Sequence, residues 1–323
     1  MTDHALRESL GPQSPICVFA PSLYLTVTIE ERDGSHEAGE VHLHPGGQGF
    51  WIARMLAELG GNPVLCGPVG GEAGAVLAAI VPTWGVEFEP VWTKRASPCR
   101  VTDRRGGDRV IVADDRRTEL HRHDADDLYD KILELSLRYR CCVITGTDPH
   151  HTLPLPFFEH LGSDLKELDA RVLADIHGDQ LGALLTHGAL SMLKVSDQDL
   201  IADGIILDRS EASALKAIEH FSEEEIDWLV VSRADEGALM STPTSTFRSR
   251  PLRLQAVDDI GAGDSMTAAL VMARLRGLSP QQALQLACAA GIANITRHGL
   301  ASAPAGLIEQ IASEIEIEPV RST

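Results

Sequence analysis

DDIGAGDSMTAALVMARLRG, residues 258–277, places a glycine-rich turn and a carboxylate at the start of a helix. Gly261 and Gly263 allow a tight turn, and the first N–H groups of a helix have no partner within it, so anionic oxygens can bind there. Asp264 is placed to take a proton from an attacking hydroxyl, while the amides of Gly261, Ala262 and Gly263 hold charge on a transferred phosphoryl group. The alternative is that Asp264 only complements the helix dipole and that the glycines form an ordinary loop.

A second glycine-rich element is PGGQG, residues 45–49, followed directly by a helix that begins near Phe50. Glycine again lines the start of a helix, where backbone N–H groups can face a ligand. Taken alone, this element is typical of a tight turn from a strand into a helix. The two elements lie far apart in the sequence, so they form one site only if the fold brings them together.

The composition indicates a globular protein whose main partner is neither nucleic acid nor an anionic membrane. Of 323 residues, 44% are hydrophobic, whereas a formal charge of −19 would repel both kinds of polyanion. Six cysteines without CxxC spacing favour reduced thiols. No apolar run reaches the ~20 residues that cross a bilayer, and the first fifteen residues lack the basic and apolar regions of a signal peptide. We therefore expect a cytoplasmic protein in which residues 1–14 form a tail.

Short apolar runs alternate with helical patterns along the chain. Ile52, Met55 and Leu56 fall on one helical face, and Ser279 precedes Pro280 at the start of another helix. This alternation predicts one doubly wound α/β domain over residues 15–323, with a mostly parallel sheet and helices on both faces. The continuous runs that predict buried strands are 16–19, 64–66, 141–145, 171–175, 191–194 and 228–232.

Two segments break this pattern. Residues from about 22 to 44 and from about 98 to 113 alternate apolar and polar residues around glycine-containing turns, which predicts a small β-sheet grafted onto the core. As a lid over the carboxyl ends of the strands, this sheet would keep water out of a phosphoryl-transfer site. A dimerisation sheet fits the pattern equally well, and the two uses are compatible. We expect a homodimer.

These motifs resemble those of the ribokinase, or PfkB, family of carbohydrate kinases over nearly the whole chain. Besides the two glycine-rich elements, the resemblance rests on APSL at 20–23, Ala53 and Arg54, TGTDP at 145–149 and Lys194. The most similar branch is that of 1-phosphofructokinase, tagatose-6-phosphate kinase and the minor 6-phosphofructokinase. The resemblance implies a ribokinase-like fold and Mg²⁺- and ATP-dependent transfer of the γ-phosphoryl group to a hydroxyl of a small carbohydrate, such as a fructose or tagatose phosphate.

The resemblance also implies roles for residues of the catalytic and nucleotide sites. Asp264 would be the base, and the amides of residues 261–263 would form the anion hole. Lys194 would lie beside the nucleotide phosphates, with Ser232 and Asn294 near the nucleotide.

Other matched positions belong to the cation and substrate sites of the family. Asp258 stands where many relatives bind a monovalent cation such as K⁺. Gly46, Gly47 and Arg100 match positions that contact the substrate in the phosphosugar branch. The planar guanidinium of Arg100 suits a phosphate because it can donate two parallel hydrogen bonds.

The substrate site departs from the family pattern at three positions. Tyr24 replaces the usual sugar-binding aspartate, Trp51 an asparagine, and Gln48 a lysine or glycine. A site built to bind sugar hydroxyls loses binding energy when its polar partners are missing. The usual hexose-phosphate contacts are therefore altered, although Trp51 fits equally well as a core residue of its helix.

The nucleotide site departs from the pattern as well. Ser196 and Asp199 stand in place of the asparagine and glutamate that organise Mg²⁺ and its waters, so we predict that Asp199 meets the metal through water. Ala234 replaces a glycine of the nucleotide loop, where its methyl group would narrow the approach to the phosphates.

Three interpretations of these departures remain open. The enzyme could phosphorylate a different sugar or a nucleoside, it could take a smaller alcohol, or the chain could be a non-catalytic relative that binds nucleotide or sugar phosphate. Because Gly261, Gly263 and Asp264 are all retained, the sequence favours an active kinase with altered specificity.

Overall fold

The computed structural model describes residues 10–32, 35–115, 120–147, 153–252, 254–297 and 299–320. Within them the strands are β1 Pro15–Phe19, β2 Tyr24–Arg32, β3 Ser35–Gly46, β4 Asn62–Val69, β5 Glu87–Trp92, β6 Cys99–Asp103, β7 Val110–Asp115, β8 Cys141–Thr145, β9 Arg171–Asp175, β10 Met192–Ser196, β11 Leu229–Ser232, β12 Ala238–Thr242, β13 Ser245–Ser249 and β14 Ile317–Val320.

The helices alternate with these strands, as in a doubly wound fold. They are α1 Gln48–Glu58, α2 Gly71–Ile80, α3 Arg122–Tyr139, α4 Leu155–Glu167, α5 Gly178–Leu185, α6 Asp197–Ala202, α7 Glu211–His220, α8 Ala262–Leu275, α9 Pro280–Ile295 and α10 Ala305–Ser313, with 3₁₀ turns at Val81–Trp84 and Ala234–Glu236. Among the helices of the described ranges, none has both the length and the apolar character needed to cross a bilayer.

Ten of the described strands form one large sheet in the order β14-β13-β12-β11-β10-β9-β8-β1-β4-β5. Seven neighbouring strands pair in parallel: β11, β10, β9, β8, β1, β4 and β5. Strands β12, β13 and β14 continue the sheet antiparallel beyond β11. Strand β1 lies inside the sheet and is buried on both faces: Ile16 and Val18 pack with α1, α8 and α9, and Cys17 and Phe19 pack with α3 and α4. Burial on both faces explains why the strands are continuous apolar runs.

The remaining four strands form a separate small sheet in the order β3-β2-β6-β7. Its two hairpins come from distant parts of the chain and join through the parallel pair of β2 and β6. The prediction of a doubly wound, mostly parallel sheet covered by helices, with a separate small sheet, is confirmed.

The small sheet reverses the usual distribution of polar and apolar side chains. The threonines at 26, 28 and 102 lie on one face and are buried, whereas Val41 and Leu43 on the other face are 63% and 52% exposed. A sheet normally buries its apolar face against the core. The small sheet therefore turns a polar face toward the body of the protein and leaves an apolar face in solvent.

Candidate active site

The candidate site lies at the carboxyl ends of the parallel strands, where the N-terminus of α8 meets them. Asp175 ends β9, Ser196 ends β10 and Ser232 ends β11. Loops that follow neighbouring parallel strands meet at this edge, which is where open α/β sheets bind ligands. The first turn of α8 contributes the glycine-rich segment from the other side.

The turn before α8 is held in an unusual backbone conformation. Gly261 caps the helix with φ +78°, a left-handed value that costs glycine little. Asn294 is buried and fixes this turn through both polar atoms of its side chain: Nδ2 donates to the carbonyl of Ile260 at 2.7 Å, and Oδ1 accepts from the amide of Ala301 at 2.7 Å. Asn294 thus lies beside the predicted anion hole but uses its amide group to hold the backbone.

Lys194, Asp175 and Asp264 form the charged centre of the site. Lys194 Nζ lies 3.3 Å from Asp175 Oδ2. A Cβ atom on Gly263 would lie 2.8 Å from the same Nζ, so only glycine lets the turn approach the ammonium group this closely. Thr267, one turn after Asp264, donates its hydroxyl hydrogen to Asp175.

This arrangement sets the protonation of the predicted base. Burial raises the pKa of Asp264 to about 7, the negative charge of Asp175 adds to the rise, and Lys194 opposes it. Burial disfavours the charged form of Lys194, but the carboxylates of Asp175, Asp199 and Asp264 outweigh it and raise the pKa of the lysine. The site therefore combines a permanent ammonium group with a carboxyl group that changes protonation near neutral pH.

Asp175 and Thr267 are residues of this centre that the sequence analysis did not identify. The signal for Asp175 was present, because a carboxylate ends the predicted strand at 171–175 and such positions face ligands in parallel sheets. Thr267 follows Asp264 by three residues, a spacing that places both on one side of a helix.

Ser196 and Asp199 form a capping box at the start of α6. Ser196 Oγ accepts from the amide of Asp199 at 3.1 Å, and Asp199 Oδ2 accepts from the amide and the hydroxyl of Ser196 at 3.0 and 2.6 Å. The other oxygen, Oδ1, lies 3.8 Å from Nε2 of His177. Across the described part of the chain no three His, Cys, Asp or Glu side chains are arranged to hold a metal ion. Magnesium at Asp199 would therefore need most of its ligands from phosphate and water.

The predicted nucleotide loop begins at the end of β11. Ser232 is buried and its hydroxyl donates to the carbonyl of Val195 at 3.4 Å. Ala234, at the start of the 3₁₀ turn, has φ +45°. That left-handed conformation is costly for alanine and natural for the glycine that the family carries there.

The predicted substrate residues Tyr24, Gly46 and Arg100 meet on the small sheet. Tyr24 pairs with Gly46, and a Cβ atom on Gly46 would lie 2.3 Å from Cε2 of the tyrosine ring, so the ring lies directly over the glycine. The guanidinium of Arg100 stands 4.7 Å from the centre of this ring and donates to the phenol oxygen at 3.1 Å. Arg100 also donates to Asp114 Oδ2 at 3.2 Å, a contact that the sequence did not predict.

Gly47 and Trp51 lie at the start of α1. Gly47 has φ +113°, and a Cβ atom there would lie 2.3 Å from the carbonyl oxygen of Ser22. Trp51 is only 6% exposed, and its ring packs 4.9 Å from Phe50 and 5.7 Å from His44. In the structure Trp51 is therefore a core residue of α1.

Asp258 already has two cationic partners. Its Oδ2 lies 3.2 Å from Nη1 of Arg104 and 3.0 Å from Nη2 of Arg109, and its side chain is 8% exposed. A monovalent cation would have to displace the guanidinium groups to reach this oxygen, so the carboxylate does not fit the predicted cation site. Asp148 and Pro149, from the predicted motif at 145–149, lie outside the described residues.

Comparison with known proteins identifies the family of the chain. Residues 16–305 match the family described as pfkB family carbohydrate kinase. ATP-dependent 6-phosphofructokinase isozyme 2 of Mycobacterium tuberculosis is 23% identical over an alignment of 334 positions. The alignment covers 99% of this chain and 94% of the relative. The 1-phosphofructokinase of Vibrio cholerae is 21% identical over 307 residues, covering 94% and 96%.

A solved structure has the same fold. Phosphofructokinase-2 from Escherichia coli, in complex with potassium, superposes with a TM-score of 0.81 over 94% of this chain and 99% of that one, at 21% identity. At this identity the likeness shows the fold alone.

Proposed function

The chain belongs to the pfkB family of carbohydrate kinases, and from this premise we propose that it phosphorylates a hydroxyl of a small sugar phosphate with Asp264 as the base. The observation that carries the proposal is the position of Asp264 in the first turn of α8, beside Lys194, with its pKa raised to about 7. A carboxyl group with this pKa is partly deprotonated at neutral pH, so it can act as a base. It also binds a proton more strongly than an ordinary aspartate does, which favours transfer of the proton from an alcohol.

The residues around Asp264 divide the work of phosphoryl transfer. MgATP, when bound, would supply the γ-phosphoryl group, and its Mg²⁺, met by Asp199 through water, would neutralise charge on the phosphate oxygens. The amides of residues 261–263, at the positive end of α8, donate hydrogen bonds to oxygens that gain charge during transfer. Lys194 adds a positive charge beside them, and its contact with Asp175 fixes the position of the ammonium group. Asp264 takes the proton of the acceptor hydroxyl.

Arg100 is the residue we assign to the phosphate of the substrate. Its guanidinium lies beside Tyr24, whose ring covers Gly46, and Asp114 holds it in place. A phosphate entering here would exchange with the carboxylate of Asp114 and gain two parallel hydrogen bonds. The relatives named phosphofructokinases act on sugar phosphates, which supports the same substrate class here.

The pairing of Arg100 with Asp114 also favours a second candidate, a kinase of a non-phosphorylated sugar or nucleoside. With the arginine already neutralised by a carboxylate, a neutral ligand would meet no unpaired charge at this point. The ring of Tyr24 over Gly46 offers an aromatic face for stacking on a sugar or a base.

The test is ADP release with MgATP over a panel of sugar phosphates, free sugars and nucleosides. The panel includes fructose 6-phosphate, fructose 1-phosphate, tagatose 6-phosphate, pentoses and hexoses. Asp264→Asn is the inactive variant, and Asp259→Asn, which makes the same change at an exposed neighbour, is the matched control. Turnover of a sugar phosphate that Asp264→Asn abolishes and Asp259→Asn keeps supports the proposal. If ATP raises the melting temperature but no acceptor is phosphorylated, the chain is a nucleotide-binding relative without turnover.

We further propose a homodimer formed through the apolar face of the small sheet. Val41 and Leu43 on β3 share this face with Val110 on β7, and all three are at least half exposed. An apolar patch of this kind on a sheet whose other face is buried is typical of a contact between subunits. A second copy of the chain offers the same apolar face, as a twofold interface requires.

Leu43→Asp tests this interface by sedimentation. The variant should shift the protein from dimer to monomer because a carboxylate would be buried in an apolar contact. Leu207→Asp is the matched control, since Leu207 is 91% exposed and lies outside the small sheet. A dimer that persists in Leu43→Asp would place the interface elsewhere.

A further inference from the structure

The turn between β6 and β7, residues 104–109, reaches across to the catalytic turn. Arg104 and Arg109, at its two ends, both contact Oδ2 of Asp258, at 3.2 and 3.0 Å. The three side chains are largely enclosed, with exposed fractions of 13% for Arg104, 29% for Arg109 and 8% for Asp258. Two contacts to one carboxylate oxygen tie the β6–β7 turn to the catalytic turn at a single point.

Backbone hydrogen bonds direct both sides of this contact. The amide of Arg104 donates to the carbonyl of Ile29 at 2.8 Å, and its carbonyl accepts from Gly107 at 3.0 Å, so the β6–β7 turn is anchored to the small sheet. On the other side, Asp258 Oδ1 accepts from the amide of Ile260 at 3.2 Å. One carboxylate therefore holds the catalytic turn with one oxygen and the β6–β7 turn with the other.

Asp258 Oδ2 receives two cationic side chains from the same turn. Two guanidinium groups face one carboxylate, and the neighbouring turn is the predicted anion hole. Asp258 is also the residue that the sequence assigns to a monovalent cation, and in the structure the two arginines occupy its Oδ2.

Taking the proposed function as given, we propose that Arg104 and Arg109 are positioning residues. They latch the small sheet onto the catalytic turn through Asp258 and supply there the positive charge that a bound cation would otherwise supply. The small sheet then acts as a lid that is closed by its own side chains, and the kinase needs no potassium.

Hydrogen–deuterium exchange tests the latch without requiring turnover. Asp258→Asn keeps all the arginines but removes the charge that holds them, so amides of residues 99–115 should exchange about tenfold faster than in the wild type. Asp259→Asn makes the same change one residue further along, at an exposed side chain, and should leave their exchange unchanged. Equal exchange in the two variants would overturn the latch. Because this readout is independent of activity, it stands even if no acceptor is phosphorylated.

Steady-state kinetics tests the second part of the proposal. We expect the wild-type rate to be the same in potassium chloride and in tetramethylammonium chloride of equal ionic strength. Replacing both arginines, Arg104→Gln with Arg109→Gln, should raise KM for the acceptor about tenfold and make the rate depend on potassium. Arg104→Lys with Arg109→Lys should restore much of the loss, because lysine keeps the charge.

Arg105→Gln is the matched control for these kinetics. Arg105 lies in the same turn but pairs with Asp103 rather than with Asp258. Its removal should leave KM and the response to potassium as in the wild type. Wild-type activation by potassium, or equal effects of the double variant and Arg105→Gln, would overturn the assignment of the charge to Arg104 and Arg109.

Discussion

Replacing Asp264 with asparagine should abolish turnover and yet make the folded protein more stable above neutral pH. Burial raises the pKa of this carboxyl group from 3.8 to about 7 because it disfavours the charged form. The folded protein therefore holds a proton between about pH 4 and pH 7 that the unfolded chain has released. Wild-type stability falls as the pH rises through this window, and the neutral amide of asparagine removes that loss.

The size of the effect follows from the two pKa values. The interval from 3.8 to about 7 corresponds to roughly 4 kcal/mol, at 1.36 kcal/mol for each pH unit. Asp264 keeps partial exposure at the edge of the site, so water screens part of this cost, and we expect a gain of about 1–2 kcal/mol. With an unfolding entropy of about 2.1 cal/mol/K per residue over 323 residues, this gain raises the melting temperature by about 1.5–3 °C.

Thermal unfolding of Asp264→Asn and the wild type across pH 4 to 8 measures this effect. The difference in melting temperature should be near zero at about pH 4, grow as the pH rises, and level off above about pH 7. Asp259→Asn, at an exposed neighbouring residue, should show no such pH dependence. A variant that is less stable than the wild type at pH 8, or a difference that does not change with pH, would refute the assignment of a buried base to Asp264.

Three further predictions concern the same site. The kcat/KM of the wild type should rise about tenfold per pH unit up to about pH 7 and then level off. Asp175→Asn removes a negative charge beside Asp264 and should move the midpoint of this pH profile to lower pH. A midpoint at higher pH would contradict the conclusion that Asp175 raises the pKa of Asp264. Ala234→Gly should stabilise the protein by about 0.5–1 kcal/mol in thermal unfolding, because glycine adopts the backbone angle φ +45° without strain. The control Ala75→Gly, at an exposed helical position, should destabilise it by a similar amount. If both variants lose stability, residue 234 is not strained. Asn294→Ala should lower the free energy of unfolding in urea by about 2–4 kcal/mol and should also lower kcat. The cause is that the carbonyl of Ile260 and the amide of Ala301 lose their hydrogen-bond partner. An unchanged kcat would show that the catalytic turn keeps its shape without these two hydrogen bonds.

Local patterns were enough to predict the fold class and several of its elements. The runs at 141–145 and 171–175 match β8 and β9 to the residue, because a strand buried on both faces needs a continuous apolar sequence and polar residues mark where it ends. The start of α9 follows from Ser279 and Pro280, since Ser279 closes a capping box with Gln282. These features depend on neighbours within a few residues, which a sequence displays directly.

Contacts between distant residues were beyond the reach of such patterns. The position of Asp258 could be predicted from its motif, but its partners Arg104 and Arg109 are about 150 residues away in sequence, and their choice depends on how the β6–β7 turn bends. From the sequence, Trp51 could be either a residue that contacts the ligand or a core residue of its helix. The packing of Phe50 and His44 around its ring, which the sequence does not display, decides how much of the ring remains exposed. The roles of the predicted site residues remain predictions.

The charges of the site connect substrate recognition with the position of the small sheet. Each basic group is held by a carboxylate: Lys194 by Asp175, Arg100 by Asp114, and Arg109 by Asp258. In a chain of net charge −19 this pairing fixes the basic side chains before an anion arrives, so less side-chain entropy is lost on binding. If a phosphate binds Arg100 as we propose, it would compete with Asp114, which lies on β7, the strand that follows the turn carrying Arg104 and Arg109. Because one hairpin carries both Asp114 and the two arginines that contact Asp258, we expect substrate binding at Arg100 to affect the contact at Asp258.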